Sequence, residues 1–188
     1  MESQIADERQ KRRFTEVVLP HLDDALSLAR WLTGSAADAQ DVVQDASIRA
    51  LAAIDSFRDG SPRAWVLTIV RNTAFSWLRK NRPKALVVTD DESVFEAAQF
   101  ASEAGGPPSP EAALIAKADA AMLNAAIAAL PLNFKEILVL REIDGLSYRE
   151  IAEVVSLPIG TVMSRLSRAR KLLIVRLGAT RAGAQGAA

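Results

Sequence analysis

The sequence predicts an all-α protein: two small helical domains joined by a flexible acidic linker. Apolar residues recur at helical spacing, i, i+3, i+4 and i+7, along the segments on either side of a central break. That break, residues 83 to 110, loses the period and gathers Asp90, Asp91, Glu92, Glu96 and Glu103 before Gly105-Gly106-Pro107-Pro108-Ser109-Pro110. From Leu130 to Leu173, signals for helix start, stop and direction agree over three successive segments. A chain of 188 residues, 49% hydrophobic and 24% charged, can form one or two small cores, and the Pro/Gly cluster favours two. The expected boundaries are an amino-terminal domain 1–83, a linker 84–110, a carboxy-terminal domain 111–178 and a frayed Ala/Gly-rich tail 179–188.

Composition narrows the chemistry. Cysteine is absent and His21 is the sole histidine, so disulfides and Cys/His metal sites are excluded and no metal or other cofactor is expected. Residues 1–13 are polar and charged, unlike a signal peptide, and no apolar run approaches the length that spans a bilayer. A soluble, cytoplasmic protein without membrane insertion is expected. Basic and acidic residues balance to a net charge of zero, which at first argues against a nucleic-acid binder. The distribution argues otherwise. Arg58, Arg63, Arg71, Arg79, Lys80, Arg82 and Lys84 face only Asp59 in their stretch, whereas residues 85 to 112 hold acids and no base. Two basic modules therefore flank an acidic connector.

After a frayed, charged start, residues 14–33 carry Val17, Val18, Leu22, Ala25, Leu26, Ala29 and Leu32 at helical spacing, and Gly34 stops the helix. His21 is assigned no chemistry, since a lone histidine there is a packing or surface residue. Ser35 caps the next helix, 36–54, with Ala39, Val43, Ala46, Ala50 and Ile54 as its buried stripe. Asp38, Asp41 and Asp45 recur on another face, and Ile48 projects from it. Periodicity alone leaves two readings of that face open, a docking surface for a basic partner or an ordinary solvated one. Asp59-Gly60 marks a turn, Ser61-Pro62 opens a third helix, and Asn72-Thr73-Ala74 joins it to a fourth that ends near Asn81. Trp65, Phe75 and Trp77 interleave there with Arg63, Arg71, Arg79, Lys80 and Arg82. Flat aromatic and guanidinium faces can stack on unpaired bases, while large aromatics also supply the burial a small helical domain needs.

Beyond the linker, whose r.m.s. span is on the order of 30 Å and which could hold a short helix at 94–100, Ser109-Pro110-Glu111 restarts order. An Ala-rich helix follows from Ala113 to Leu130, ended by Pro131. Asn133 is expected to cap a helix carrying Ile137, Leu138, Leu140 and Arg141, which Asp144-Gly145 ends. Ser147-Tyr148-Arg149-Glu150 forms a capping box for a short helix through Val155. Ser156 and Leu157 make the turn, and Pro158 occupies the first position of the last helix. Ile159, Val162, Leu166, Ala169 and Leu173 fall on one stripe of that helix. Thr161, Ser164, Arg168 and Lys171 project opposite, with Arg165 and Ser167 on the shoulders. A basic run alone reads as a solvated helix at the end of a bundle. Joined to a capping box, a two-residue turn and outward hydroxyl and Arg residues, it reads as a helix-turn-helix that meets DNA.

The segment GLSYREIAEVVSLPIGTVMSRLSRAR resembles the promoter-reading region of the extracytoplasmic-function (ECF) sigma factors of bacterial RNA polymerase. DAQDVVQDA is similar to the segment with which sigma factors grip the clamp-helix coiled coil of polymerase, although Gln40 stands where that pattern usually has an acid. The resemblance implies a core-binding set of Asp38, Asp41, Val42, Gln44, Asp45 and Ile48. PRAWVLTIVRNTAFSWLRKNRP resembles the segment that opens the minus-ten element. Arg63, Trp65, Arg71, Asn72, Thr73, Ala74 and Arg79 would meet that DNA, with Asn72-Thr73-Ala74 in a base-capturing loop. Ser76 replaces a common Asp or Asn, so no base preference carries over. Thr161, Met163, Ser164, Arg165, Ser167, Arg168 and Lys171 would meet the minus-thirty-five element. In the family the acidic linker runs through polymerase channels that otherwise hold nucleic acid; from sequence alone a solvated spacer suits it as well. The implied partners are core RNA polymerase, promoter DNA and a cognate anti-sigma factor.

The resemblance spans about residues 14 to 176 in the family's order. It implies a non-enzymatic factor that directs polymerase to a promoter class and helps open the minus-ten element. A stand-alone helix-turn-helix regulator would need a dimer interface to match two half-sites, and the acidic face at Asp38, Asp41 and Asp45 speaks against it. An enzyme acting on nucleic acid would need a metal cluster or an acid/base constellation, for which this composition offers little. A helical scaffold that merely binds proteins is the remaining alternative. Promoter-specific transcription with core polymerase separates all of these.

Overall fold

The structure is a computed structural model that describes residues 2–83 and 110–185, with side chains described for 8–83 and 118–178. All regular structure among the described residues is helical: α1 (Glu2–Val17), α2 (Leu22–Thr33), α3 (Ala36–Ala53), α4 (Pro62–Asn81), α5 (Pro110–Ala128), α6 (Leu132–Leu138), α7 (Tyr148–Val155) and α8 (Ile159–Gln185). The predicted linker, with its possible helix at 94–100, lies outside the described residues apart from Pro110, which begins α5.

Local chemistry sets most boundaries. Gly34 at φ 72° closes α2, its N–H returning to Arg30 O at 2.8 Å. The Ser35 hydroxyl accepts from Asp38 N at 3.3 Å and starts α3, and Ser61 does the same for α4 through Ala64 N at 3.2 Å, with Pro62 in the first turn. In the second half, Ser147 and Glu150 form the reciprocal capping box of α7. Before it, Val139–Ile143 widens into a π-helical turn with Asp144 N bonded to Val139 O at 3.0 Å. Gly145 at φ 70° then lets Leu146 N reach Leu140 O at 2.9 Å and ends the run.

Several boundaries differ from expectation. Residues 2–17 are helical instead of frayed: Gln10 Nε2 donates to Leu51 O at 3.0 Å and the Arg13 guanidinium to Phe57 O, which tie α1 to the end of α3 and its exit turn. The expected single helix over 14–33 breaks at a 3-10 turn, Leu19–His21, because Pro20 has no N–H to give and its ring excludes a continuing α-turn. Conversely, the expected third and fourth helices are one, α4, with no joint at Asn72-Thr73-Ala74. Nothing between Arg63 and Asn81 is Gly or Pro, and Thr73 folds its hydroxyl back onto Ile69 O at 2.8 Å, satisfying itself inside the helix. Pro131, not Asn133, stands at the cap of α6; Asn133 lies in the first turn with Oδ1 buried and without a hydrogen-bond partner. Pro158 precedes α8 instead of opening it, a one-residue difference. The α8 backbone continues past Gly178 to Gln185 through a stretch in which Ala179, Arg181, Ala182, Ala184 and Gln185 favour the helix and outweigh Thr180 and Gly183, where a frayed tail was expected.

In the amino-terminal domain α2, α3 and α4 pack against one another, with α1 across α3. In the carboxy-terminal domain α5, α6 and α7 pack on α8. The two domains also touch. Helix α4 lies against α7 and α2 against α6, so the buried side chains of both form one cluster from Leu28, Leu32 and Leu67 to Ile137, Leu140 and Leu166. Each such leucine or isoleucine contributes roughly 1.5–3 kcal/mol by leaving water.

Candidate nucleic-acid interface

Helix α8 is aimed by Val162, Leu166 and Ala169, which are fully buried on α6 and α7. Ile159 is 46% exposed and Leu173 half-buried, so the packing stripe is shorter at both ends than periodicity suggests. Opposite it, Met163, Ser164, Ser167, Arg168 and Lys171 are exposed, and Thr161 and Arg165 half-buried. The seven minus-thirty-five candidates thus share one accessible side of a helix, with Ser164 donating to Thr161 O at 3.0 Å. The Ser147 backbone and hydroxyl, both bonded to Glu150, hold that carboxyl below its ordinary range and keep the capping box charged. Arg141 braces the approach to it, stacking over the Tyr148 ring at 4.8 Å and donating to Leu146 O at 2.7 Å.

The α4 candidates divide. Asn72 and Arg79 are exposed, and Trp65 is half-buried against Phe57, ring centroids 5.3 Å apart. Thr73 and Ala74 are 3% and 0% exposed and face the domain core, because a continuous helix turns successive residues by about 100° and cannot present all three of Asn72, Thr73 and Ala74 outward. They are corrected out of the accessible set. Arg63 and Arg71 are engaged by acids. Arg63 grips Asp24 through two N–H groups at 2.6 and 2.9 Å and also donates to Asp144 O. Arg71, stacked over Phe75 at 4.3 Å, grips Glu136 at 2.6 and 3.2 Å. Both are bidentate, the strong form of an Arg–carboxylate contact.

On α3, Asp41, Gln44 and Asp45 are exposed, Asp38 is half-buried 3.4 Å from Arg82, and Ile48 is 62% exposed. Val42 is 1% exposed and belongs to the core, while Val43, expected on the buried stripe, is only half-buried. Ala39, Ala46, Ala50 and Ile54 are buried as the periodicity predicts, so only Val42 and Val43 exchange places on the stripe, and Val42 is corrected out of the accessible set.

Sequence reasoning missed a cluster of buried polar groups between the domains. Asp144 is buried; its Oδ1 accepts from Ser27 at 2.9 Å, while Oδ2 is buried without a partner. Burial pushes this carboxyl up to about 6. Burial likewise pushes the Glu136 carboxyl up, the Arg71 guanidinium pulling it back down, and pushes the Lys135 ammonium down to about 8. Ser61 donates to Glu150 at 3.2 Å across the same seam. The only hint in the sequence was the adjacent Lys135-Glu136 inside an otherwise apolar run. Among the described residues no group of three or more His, Asp or Glu side chains is placed to hold a metal ion, and no helix is long and apolar enough to cross a membrane.

The two halves match known families separately: residues 17–84 match Sigma-70 region 2, and residues 120–173 match Sigma-70, region 4. Over 166 residues the chain is 37% identical to the RNA polymerase sigma-H factor of Pseudomonas aeruginosa, covering 87% of this chain and 85% of that one. Over 143 residues it is 38% identical to the ECF RNA polymerase sigma-E factor of Escherichia coli K12, covering 72% of each. Among solved structures it is similar to the sigma factor RpoE of Bartonella quintana in complex with the anti-sigma factor NepR, at 29% identity and a TM-score of 0.64 over 88% of this chain and 96% of that one. It is also similar to CnrH in complex with the cytosolic domain of CnrY, at 27% identity and a TM-score of 0.59 over 93% and 96%. An exposed hydroxyl-and-arginine helix after a capped turn, a basic helix in the other domain and relatives aligned across both place the chain among the ECF sigma factors, which direct bacterial RNA polymerase to promoters.

Proposed function

We propose that the three accessible surfaces divide the work of promoter recognition. Asp41, Asp45, Gln44 and Ile48 on α3, with Asp38 at their edge, dock on a basic surface of core polymerase. Helix α8 reads the minus-thirty-five element through Thr161, Met163, Ser164, Arg165, Ser167, Arg168 and Lys171, its serines and basic side chains reaching base edges and phosphates. Helix α4 meets the minus-ten strand through Arg63, Trp65, Arg71, Asn72 and Arg79, stacking and charge attracting an unpaired backbone. The observation that carries this reading is the segregation of an exposed acidic face and an exposed basic-hydroxyl face onto separate helices of one chain. The chain itself performs no catalysis; phosphoryl transfer belongs to the polymerase. It acts in the cytoplasm, and the two sigma structures it resembles, one with the anti-sigma factor NepR and one with CnrY, support a cognate anti-sigma factor as a further partner.

Adding the purified chain to core polymerase should give promoter-specific transcripts. Asp41→Lys with Asp45→Lys should abolish association with core while leaving the helical circular-dichroism spectrum unchanged, since both side chains are exposed and away from the core. Normal co-purification of that double variant with core would remove α3 from the interface.

A further inference from the structure

Two large apolar side chains stand in water on α8, beside the hydroxyl and basic groups of its open side. Ile159 is 46% exposed and Met163 52% exposed. Four residues apart, they are neighbours on one ridge of the helix, which continues through the exposed Ser167 and Lys171. The ridge is apolar at its start and cationic at its end. A single surface isoleucine is ordinary, but this is an adjacent pair, and packing does not account for it. Val162, Leu166 and Ala169 already fill the seat of α8 on α6 and α7.

Gly160, between the two, is an independent observation. It is helical, and a Cβ there would have open space, with nothing within 4 Å. Neither a turn nor a neighbouring side chain requires glycine at this position, and alanine would favour the helix. What the missing side chain provides is a flat first turn, over which another molecule can approach the backbone closely.

Charge selects the occupant. From Ile159 to Arg176 the chain carries Arg165, Arg168, Arg170, Lys171 and Arg176 and no acid, a field that suits a polyanion. A polyanion that also offers apolar groups, in a groove wide enough for a helix, is duplex DNA, where the C5-methyl of thymine lines the major groove. The opening residues of a helix laid in that groove are the ones that reach base edges. We infer that Ile159 and Met163 are specificity-determining residues that pack on thymine methyl groups of the minus-thirty-five element, with Gly160 letting the first turn of α8 come close enough for that contact. This rests on the reading of α8 as the minus-thirty-five surface. It adds an apolar readout to the serine and arginine contacts and names the base selected.

The test uses the chain reconstituted with core polymerase and promoter fragments whose upstream segment is randomised. Fragments retained after successive rounds of binding should carry thymine, on either strand, at one or two adjacent positions of that segment. Replacing those thymines by deoxyuridine removes only the methyl groups and should weaken binding about four-fold for each, the worth of one buried methyl. Ile159→Ala with Met163→Ala should weaken binding of the thymine fragment to the same extent and make it indifferent to deoxyuridine. Both side chains being exposed, the thermal midpoint of that variant should match the wild type. Gly160→Ala should hold or raise the midpoint and weaken the thymine and deoxyuridine fragments alike; unchanged affinity would overturn the close approach. Equal affinity of the wild type for the two fragments would overturn the methyl readout, and so would an equal deoxyuridine penalty in wild type and double variant. Unchanged binding by the double variant would leave the apolar pair to a protein partner and overturn it too. If Arg168→Ala failed to weaken any retained fragment, α8 itself would be the wrong surface. A methyl-indifferent holoenzyme that still needs Arg168 would keep α8 and sink this inference alone.

Discussion

Helices α4 and α8 carry the same vocabulary of arginine and hydroxyl side chains but live in different dielectric surroundings. On α8, Arg168 and Lys171 stand in water beside exposed serines, with the apolar stripe confined to the opposite side. On α4, Arg71 is sandwiched between an aromatic ring and a buried carboxylate. A charge on α8 adds little to the fold and is available to a ligand. A charge on α4 is part of the fold until something displaces its partner. Similar residue types thus divide into a ready site and an occupied one through burial alone.

The sharpest way to break that contrast is to delete one arginine from each helix. Arg71→Leu leaves Glu136 buried without its cation and should lower stability by about 3–5 kcal/mol in urea denaturation, whereas Arg168→Leu should change it by no more than about 0.5 kcal/mol. Equal effects would mean the two arginines are equally exposed in solution.

Acidity probes the occupied side next. The Asp144 carboxyl is raised from 3.8 to about 6 by burial, so the closed chain holds this proton more tightly than the unfolded one. Its contribution is complete below about pH 4 and is lost as pH rises through about 6. Between pH 5 and 7.5 the wild type should lose more stability than Asp144→Asn, by up to about 1.4 kcal/mol, the rest of the roughly 3 kcal/mol being lost between pH 4 and 5 and below. Parallel urea midpoints for the two chains across that range would show the shift to be absent. Lys135, lowered to about 8, acts in the other direction: its contribution is complete above about pH 10.5 and is lost as pH falls through about 8.

On the ready side, Arg168→Ala should weaken binding to minus-thirty-five duplex by about 1–3 kcal/mol if it reads a base, with specificity relaxed at one position. If it contacts phosphate, all sequences should weaken alike and the salt slope should fall by about one. Fluorescence titrations at two salt concentrations distinguish these, and unchanged affinity with unchanged slope would move the docking face elsewhere.

The smallest effect belongs to Asn72→Ala. In mid-helix and exposed, Asn72 caps nothing, so alanine should leave stability equal or raise it by up to about 0.7 kcal/mol. Its effect should appear in permanganate reactivity of the minus-ten strand and not in closed-complex affinity. A drop in thermal midpoint would restore the helix joint that the structure removes.

What could be read from sequence was whatever is decided within a few residues. Ser35, Ser61, the Ser147/Glu150 box, Gly34 and Gly145 each satisfy or free a backbone group next to themselves, and each acts where the sequence places it. The exposed face of α8 was legible for the same reason: its period is carried by Val162, Leu166 and Ala169 on a single helix. On α3 the stripe of Ala39, Ala46, Ala50 and Ile54 was legible too, but the choice between Val42 and Val43 was not, because the two are chemically alike and only the neighbouring helices decide which is buried. Asn72-Thr73-Ala74 looked like a joint because polar residues favour turns, yet Thr73 can satisfy its hydroxyl on the preceding turn and the helix runs through. The pairs Arg71–Glu136 and Ser27–Asp144 lie beyond any local pattern, their partners 65 and 117 positions apart in the chain.

The uninterrupted course of α4 has a mechanical consequence. Arg63 and Arg71 are eight residues apart, about 12 Å along one stiff rod, and each is pinned to the other domain at its own point. A rod cannot lift off one peg without levering against the second, so loosening either grip strains both. Movement between the domains along this seam should therefore come as a single event with a threshold, in the manner of a two-toothed latch.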